Sequence, residues 1–476
     1  MQLNKIKLHS CTTFASAQSQ ITLDDDYNVP DYRPDIVKVL KEKGELQFDE
    51  VKAAAGAAWL KGRLVFKVLY RSDQDNAKIS CLKGEIPFQE KLNMDGVQEY
   101  DVIQASGEIE DLTIGVIHSR KISVRAVILL KAEEPREKED ELCVGIEADD
   151  GCEKRYRNTK ILQLLCMKRD QCRQKSEITL PSSKPNVQEI LWKSLEIRNL
   201  DTKMGQDGVK LSGEVLISVL YQEEEETDRV QWYETVIPLD CGVECDAGAE
   251  ADIIYKVKAG PASMELEVKP DYDGEERVLV LELVMNLDIR VWKEQEISML
   301  EDVYSLKKEI IPVCTGVTLQ HISVKNDSQC RLTEQMELAE SQEKILQICS
   351  CEGTVHLEST ELTGQGVRAE GILVTELLYI TTDDQMPIGS AREIYPFEQL
   401  IEIPQQTTRT ERNKPEELEA LERKNKLQTE LDCRISQLSA VMLDQDHVEI
   451  KAVIGLDLLA FEQEQIDNIT DTREEP

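Results

Sequence analysis

Five histidines and thirteen cysteines are the side chains of this 476-residue sequence best suited to nucleophilic or metal chemistry. Histidine does acid–base work only with a partner in hydrogen-bond reach, and zinc needs ligands that converge. His9, His118, His321, His356 and His447 are scattered, no C-x-x-C occurs, and the nearest cysteine pairs are Cys241/Cys245, Cys349/Cys351 and Cys166/Cys172. Incidental histidines and buried thiols are the simpler reading, and zinc is disfavoured. Asp24-Asp25-Asp26-Tyr27-Asn28-Val29, with Asp35, echoes a calcium loop, in which carboxylates at alternate positions converge on a hard cation. Val29 replaces the glycine of the sixth position and Asp35 the glutamate of the twelfth, so a solvated acidic loop is favoured. Gly364-Gln365-Gly366 with Gly371 is the nearest approach to a phosphate loop, and it reads as a structural turn. A nucleophile elbow, a Walker loop, H-E-x-x-H and G-x-G-x-x-G are absent. The sequence thus offers no catalytic, cofactor-binding or metal-binding residue, and no enzyme or cofactor is expected.

Repetition dominates instead. GRLVFKVLY at 62–70, GEVLISVLY at 213–221 and GILVTELLY at 371–379 share one pattern. Seventeen residues after Tyr70, Tyr221 and Tyr379 stand Pro87, Pro238 and Pro396, and an aliphatic cluster begins 26 residues before each glycine. Each unit closes on a similar run: SVRAVILL at 123–130, VLELVMNL at 280–287 and EIKAVIGL at 449–456. The tyrosines lie 151 and 158 residues apart, the size of ordinary domains rather than of solenoid repeats. None of the histidines occupies matching positions in the copies.

Within the shared segment Leu64, Phe66, Val68 and Tyr70 alternate with the intervening residues, the period of a strand with one face on a core. The tyrosines read as the last inward residues of these strands, with hydroxyls at the rim. The position of Lys67, Ser218 and Glu376 suits the outer face, whereas Leu69, Leu220 and Leu378 show that face to be covered at one end. Glycine-bearing turns at 204–208 and 363–366 predict hairpins. Tyr100–Ile103, Ile253–Val257 and 433–442 offer further strand material, and a short helix is expected after Pro34 and Pro185. The class is mainly β: three tandem sandwich- or barrel-like units, each with a short helix. The expected units are 1–132, 151–297 and 313–466, the third with an inserted helix near 404–426, where residues 413–421 make a good helix start. Charged residues 133–141 read as a linker, 298–312 as the second junction, and 467–476 as a frayed tail.

Net charge is −36, from 92 acidic and 56 basic residues. Such a surface repels phosphate backbones, so neither nucleic acid nor an anionic membrane is an expected partner. No secretory signal and no apolar run of 18 residues is evident, so a cytoplasmic chain with mostly reduced thiols and no membrane insertion is expected.

RPDIVKVL at 33–40, KGRLVFKVLY at 61–70, EIPFQEKL at 85–92 and RKISVRAVILL at 120–130 resemble the SPOCS domain of the SipL-like spore-morphogenesis family of Clostridia. The second and third copies are similar to diverged members. The resemblance implies sporulation, a cytosolic location in the mother cell at the forespore surface, a part in spore-coat assembly and no enzymatic role. The implied partners are other coat or morphogenetic proteins, or further copies of the chain. No LysM-like Gly-Asp-Thr-Leu segment is present, so no LysM-type peptidoglycan contact is expected. The alternative function is a tandem β-module array binding a ligand such as a glycan. That array needs an exposed aromatic in each copy, yet Trp59 aligns with Lys210 and Arg368, and the other tryptophans are Trp192, Trp232 and Trp292.

Overall fold

The computed structural model describes residues 2–73, 79–147, 152–224, 229–249, 251–305, 309–383, 386–403 and 427–475. The first unit holds β1 (Gln2–Asn28), β2 (Ile36–Ala54), β3 (Ala57–Ser72), β4 (Ile79–Asn93), β5 (Gln104–His118) and β6 (Lys121–Glu147). The second holds β7 (Cys152–Thr179), β8 (Val187–Gly205), β9 (Gly208–Glu223), β10 (Val230–Glu244), β11 (Ile253–Pro270) and β12 (Glu276–Ser305). The third holds β13 (Glu309–Glu337), β14 (Ile345–Leu362), β15 (Gly366–Thr381), β16 (Ile388–Glu402), β17 (Leu427–Met442) and β18 (His447–Glu475). Each unit faces two three-stranded antiparallel sheets, ordered β1-β6-β5 and β2-β3-β4 in the first and identically in the others. The expected mainly-β class with three tandem sandwich units is what forms.

Each sandwich core follows from the period-two pattern. Phe66, Val68 and Tyr70 of β3 meet Ile122 and Val124 of β6, while Leu64 meets Ala126, Ile128 and Leu130. Burying side chains of this size is worth roughly 1.5–3 kcal/mol each. Tyr70, Tyr221 and Tyr379 are fully buried, and their hydroxyls donate to the carbonyls of Pro34 (3.0 Å), Pro185 (3.2 Å) and Glu343 (3.2 Å). Each tyrosine thus pins the end of its strand to the turn that feeds the neighbouring strand. The repeated glycine has a different cause. Strands β2, β8 and β14 bulge at 48/50, 198/201 and 357/359, opposite Gly62, Gly213 and Gly371. A Cβ on Gly62 would stand 2.3 Å from the Gln47 carbonyl oxygen, and one on Gly371 2.4 Å from that of His356. The prolines Pro87, Pro238 and Pro396 lie in the edge strands β4, β10 and β16, where a missing N–H costs least.

Five expectations are corrected. After Pro34 and Pro185 the chain enters β2 at Ile36 and β8 at Val187 instead of a short helix, and the tight turns Pro30–Arg33 and Pro181–Lys184 just before are closed by Arg33 N–H to Pro30 O and Lys184 N–H to Pro181 O. Arg120 donates to the carbonyls of Val29, Pro30 and Arg33, and Arg277 to those of Leu180, Pro181 and Lys184, which fixes the turns, while pairing with β3 and β9 holds the residues that follow as strand. The one helical turn among the described residues is the 3-10 turn Asp246–Ala249. Residues 133–141 are no linker: they continue β6, paired with β1 from Ser16 to Lys7. The supposed tail continues β18, which pairs with β13 as far as Glu309↔Glu475. Residues 298–305, placed in a junction, pair with 152–158 of β7. Tyr100–Ile103 precedes β5 as turn and coil rather than strand. The expected inserted helix at 413–421 lies outside the described residues.

The long strands outrun their sheets. β5 pairs with β6 only from Lys121 to Glu133, so the rest of β6 and the first half of β1 form a two-stranded ribbon. β7 with β12, and β13 with β18, do the same. The three ribbons pack on one another through Leu8, Leu142, Ile161, Met299, Leu319 and Ile466, one residue from each ribbon strand. At the meander sheets, Leu69, Leu220 and Leu378 meet in a single cluster with Leu191, Cys349 and Trp192. The outer-face leucine of each unit is therefore covered by the other two units. Contacts run in one sense around an approximate threefold axis: β4 touches β8, β10 touches β14, and β16 touches β2.

Candidate functional site

The carboxylates and histidines weighed in the sequence do not come together. Asp24, Asp25 and Asp26 lie along β1 opposite Arg125, Val124 and Ser123. Asp26 pairs with Lys121 (2.7 Å) and Asp35 with Arg120 (3.1 Å). His9 faces Glu139, His321 faces Glu464, His356 faces Glu108 and His447 faces Asp444, each in a different place. Gly364-Gln365-Gly366 is a hairpin turn between β14 and β15, in which the Thr363 hydroxyl accepts from the Gly366 amide. Among the described residues no three His, Cys, Asp or Glu side chains are arranged to hold a metal ion. Cys172 and Cys241 form a disulfide between β7 and β10, with Cα atoms 6.0 Å apart. Beside it, Cys245 and Cys166 bring their sulfurs to 3.8 Å. Trp192 and Trp292 are buried, and only Trp59 is clearly exposed, so no aromatic platform recurs.

Polar chemistry gathers between the units instead. Where the third unit closes on the first, Lys41 is 96 % removed from solvent at 3.1 Å from Glu352 and 3.3 Å from Glu376. Lys43 also pairs with Glu352, and the Trp192 indole N–H donates to it at 3.2 Å, so one carboxylate ties all three units. Burial alone would push the Glu352 carboxyl up; Lys41, Lys43 and the Trp192 donor outweigh it and hold the group at about 2. Nearby, burial and the like charge of Glu376 push Glu42 up to about 7. Between the second and third units, Glu430 accepts from Arg290 (2.9 and 2.6 Å) and Lys256 (3.3 Å).

Between the first and second units lies a cavity of about 630 Å³. Val65 and Leu82 wall it from the first unit, and Leu191, Trp192, Met264 and Leu266 from the second. Lys67 on β3, Lys83 on β4 and Lys193 on β8 also line it. Two further cations at its edge are already paired, Lys43 with Glu352 and Arg33 with Glu189. The other three lysines have no carboxylate within ion-pair distance among the described residues. Lys193 donates to the Leu266 carbonyl at 3.2 Å. Burial, reinforced by Lys83 and Lys43 against an opposing Glu45, pushes the Lys67 ammonium below its usual range; burial and Lys67 do the same to Lys193. The register relates Lys67, Lys83 and Lys193 to Ser218, Glu234 and Cys351 at the next interface, and to Glu376, Arg392 and Glu42 at the third. In both sets the pair equivalent to Lys67 and Lys83 is internally matched: Ser218 donates to Glu234 (3.3 Å), and Arg392 stands 3.8 Å from Glu376. The sequence reading placed Lys67, Ser218 and Glu376 on an outer face; comparing their charges across the copies was the signal that marked an interface.

At the end of each unit away from the ribbons, the hairpin joining its fifth and sixth strands exposes apolar side chains. Ile117 is 50 % accessible, Tyr272 fully so, and Leu443 50 %.

The architecture defines a class, a tandem β-sandwich protein whose three units close on one another. The family can also be stated: a model described as "SipL, SPOCS domain" matches residues 35–117, 186–269 and 344–422, just over half of the chain, and the chain belongs to that family. The first two matches span the second to fifth strands of their units and the third the second to fourth, and all three leave the long ribbon strands outside. The family ties the chain to sporulation and is not known as one of enzymes. No curated protein and no solved structure is significantly similar to the chain.

Proposed function

We propose that this chain is a non-enzymatic scaffolding protein of spore coat or envelope assembly, working through protein–protein contacts. It acts in the mother-cell cytoplasm at the forespore surface, and its partners are other coat or morphogenetic proteins or further copies of itself. One observation carries the reading: the same hairpin of all three units ends in exposed apolar residues. Single exposed apolar side chains are ordinary, but recurrence at one structural position gives three linked contact points on one body. Linked points bind more tightly than any one alone because the later contacts are intramolecular. The glycan-array alternative has no recurring exposed aromatic to support it.

A fluorescent fusion followed through sporulation tests this proposal. The parent protein is expected to collect around the forespore, and a variant carrying Ile117→Ser, Tyr272→Ser and Leu443→Ser to disperse while melting as the parent does. A parent fusion that stays diffuse throughout sporulation overturns the reading.

A further inference from the structure

The lysine-lined cavity between the first and second units stands out in a protein of net charge −36, where 92 acidic side chains outnumber 56 basic ones. Lys67, Lys83 and Lys193 come from three strands of two units, yet they face one space and have no carboxylate within ion-pair distance among the described residues. Like charges held together raise the energy of the folded state unless something offsets them. At the other two interfaces the pairs equivalent to Lys67 and Lys83, Ser218–Glu234 and Glu376–Arg392, are partners of each other, so the fold does not require two facing lysines here. The cavity's size falls in the range of small-molecule sites, roughly 300–1,000 Å³. Its walls combine two surfaces: the ammonium groups, and an apolar side formed by Trp192, Leu82, Val65 and Met264.

We propose that this cavity is a binding site for a small organic polyanion, one bearing two or more carboxylate or phosphate groups on a flat apolar body. The acidic groups engage Lys67, Lys83 and Lys193, and the apolar body lies against Trp192 and the aliphatic wall. Glu45, which also lines the space, rejects monoanions too weakly charged to outweigh it. Because the site is built from two units, an occupant also fastens the first unit to the second. The outer surface, being strongly acidic, offers little competing anion binding, so occupancy should be one per chain.

Calorimetric titration of the full chain with benzene-1,3,5-tricarboxylate tests the site, with benzene-1,3,5-trimethanol as the uncharged counterpart. The expected result is saturable binding of one tricarboxylate per chain, weakened by salt, and no binding of the triol. Lys67→Gln and Lys193→Gln should each weaken binding at least tenfold, whereas Lys210→Gln, which removes the same charge from the outer surface, should leave it unchanged. Relief of repulsion predicts that the two cavity variants melt no lower than the parent, so that lost binding is not lost folding. Absence of saturable binding, equal binding of the triol, or tricarboxylate binding indifferent to both cavity substitutions overturns the proposal.

Discussion

Replacing Glu352 by Gln removes the one carboxylate that touches all three units while keeping its size and an oxygen to accept from Trp192. The cost follows from the electrostatics of the site. A carboxyl moved from 4.5 to about 2 on folding carries about 3 kcal/mol of stability at neutral pH, since each pKa unit is worth about 1.4 kcal/mol. The group is almost wholly enclosed, so solvent screening does little to reduce that figure. Breaking a buried pair and leaving one charge behind costs about 3–5 kcal/mol, which agrees. Glu376 still stands by Lys41, and Lys43 is half-exposed and can turn to water, which favours the lower figure. Because the folded pKa lies below the unfolded one, this stability is complete above pH 4.5 and is lost as pH falls toward 2. The linkage relation leaves about 1 kcal/mol of it at pH 3. Urea unfolding of parent and variant at pH 7, 5 and 3 reads the effect directly: a gap of about 3 kcal/mol at pH 7 and 5 that narrows to about 1 at pH 3. A gap that stays constant with pH, or none at pH 7, refutes the assignment of Glu352 as the ionised tie between the units.

Glu42 runs the other way: with its pKa raised to about 7, its ionisation opposes folding as pH climbs from 4.5 through 7. Glu42→Gln should therefore raise stability by about 2–3 kcal/mol at pH 8 and by next to nothing at pH 4, measured by the same urea curves. Tyr379→Phe removes one hydroxyl from a carbonyl and should cost about 1 kcal/mol, whereas Tyr379→Ala leaves a cavity and should cost about 3–5 kcal/mol. Equal melting of the two tyrosine variants would mean that the side chain does not fill the core.

The sandwich units were legible because their signals are local. Alternation along 62–70 places Leu64, Phe66, Val68 and Tyr70 on one face whatever surrounds them, and its repetition removed ambiguity. The ribbons were hidden for the opposite reason. Residues 133–141 pair with a strand that begins more than a hundred residues earlier, and the burial of Leu142 is completed by the ribbons of the other two units. A charged stretch of that kind carries no short-range cue that distinguishes strand from linker. The helices expected after Pro34 and Pro185 failed because the cue, a proline before an apolar run, is shared with strand starts; pairing of β2 with β3 and of β8 with β9 decides between them. Leu69, Leu220 and Leu378 did carry a legible hint of a covered outer face. Nothing in one copy alone says that what covers them is the other two.

Two of the three joints between units are bridged by the peptide chain, and the third, where Glu352 meets Lys41, is not. The molecule is thus a trimer whose subunits cannot be diluted apart, since each unit's effective concentration for its neighbours is set by the tether rather than by expression level. A homotrimer would repeat every interfacial substitution three times. The tandem chain can instead specialise each joint, and it has done so with lysines at one, a serine–glutamate pair at the next and opposed acids and base at the last. The joint with no tether is the one the sequence has furnished with its most deeply enclosed ion pairs, a clasp on a ring that is otherwise continuous thread.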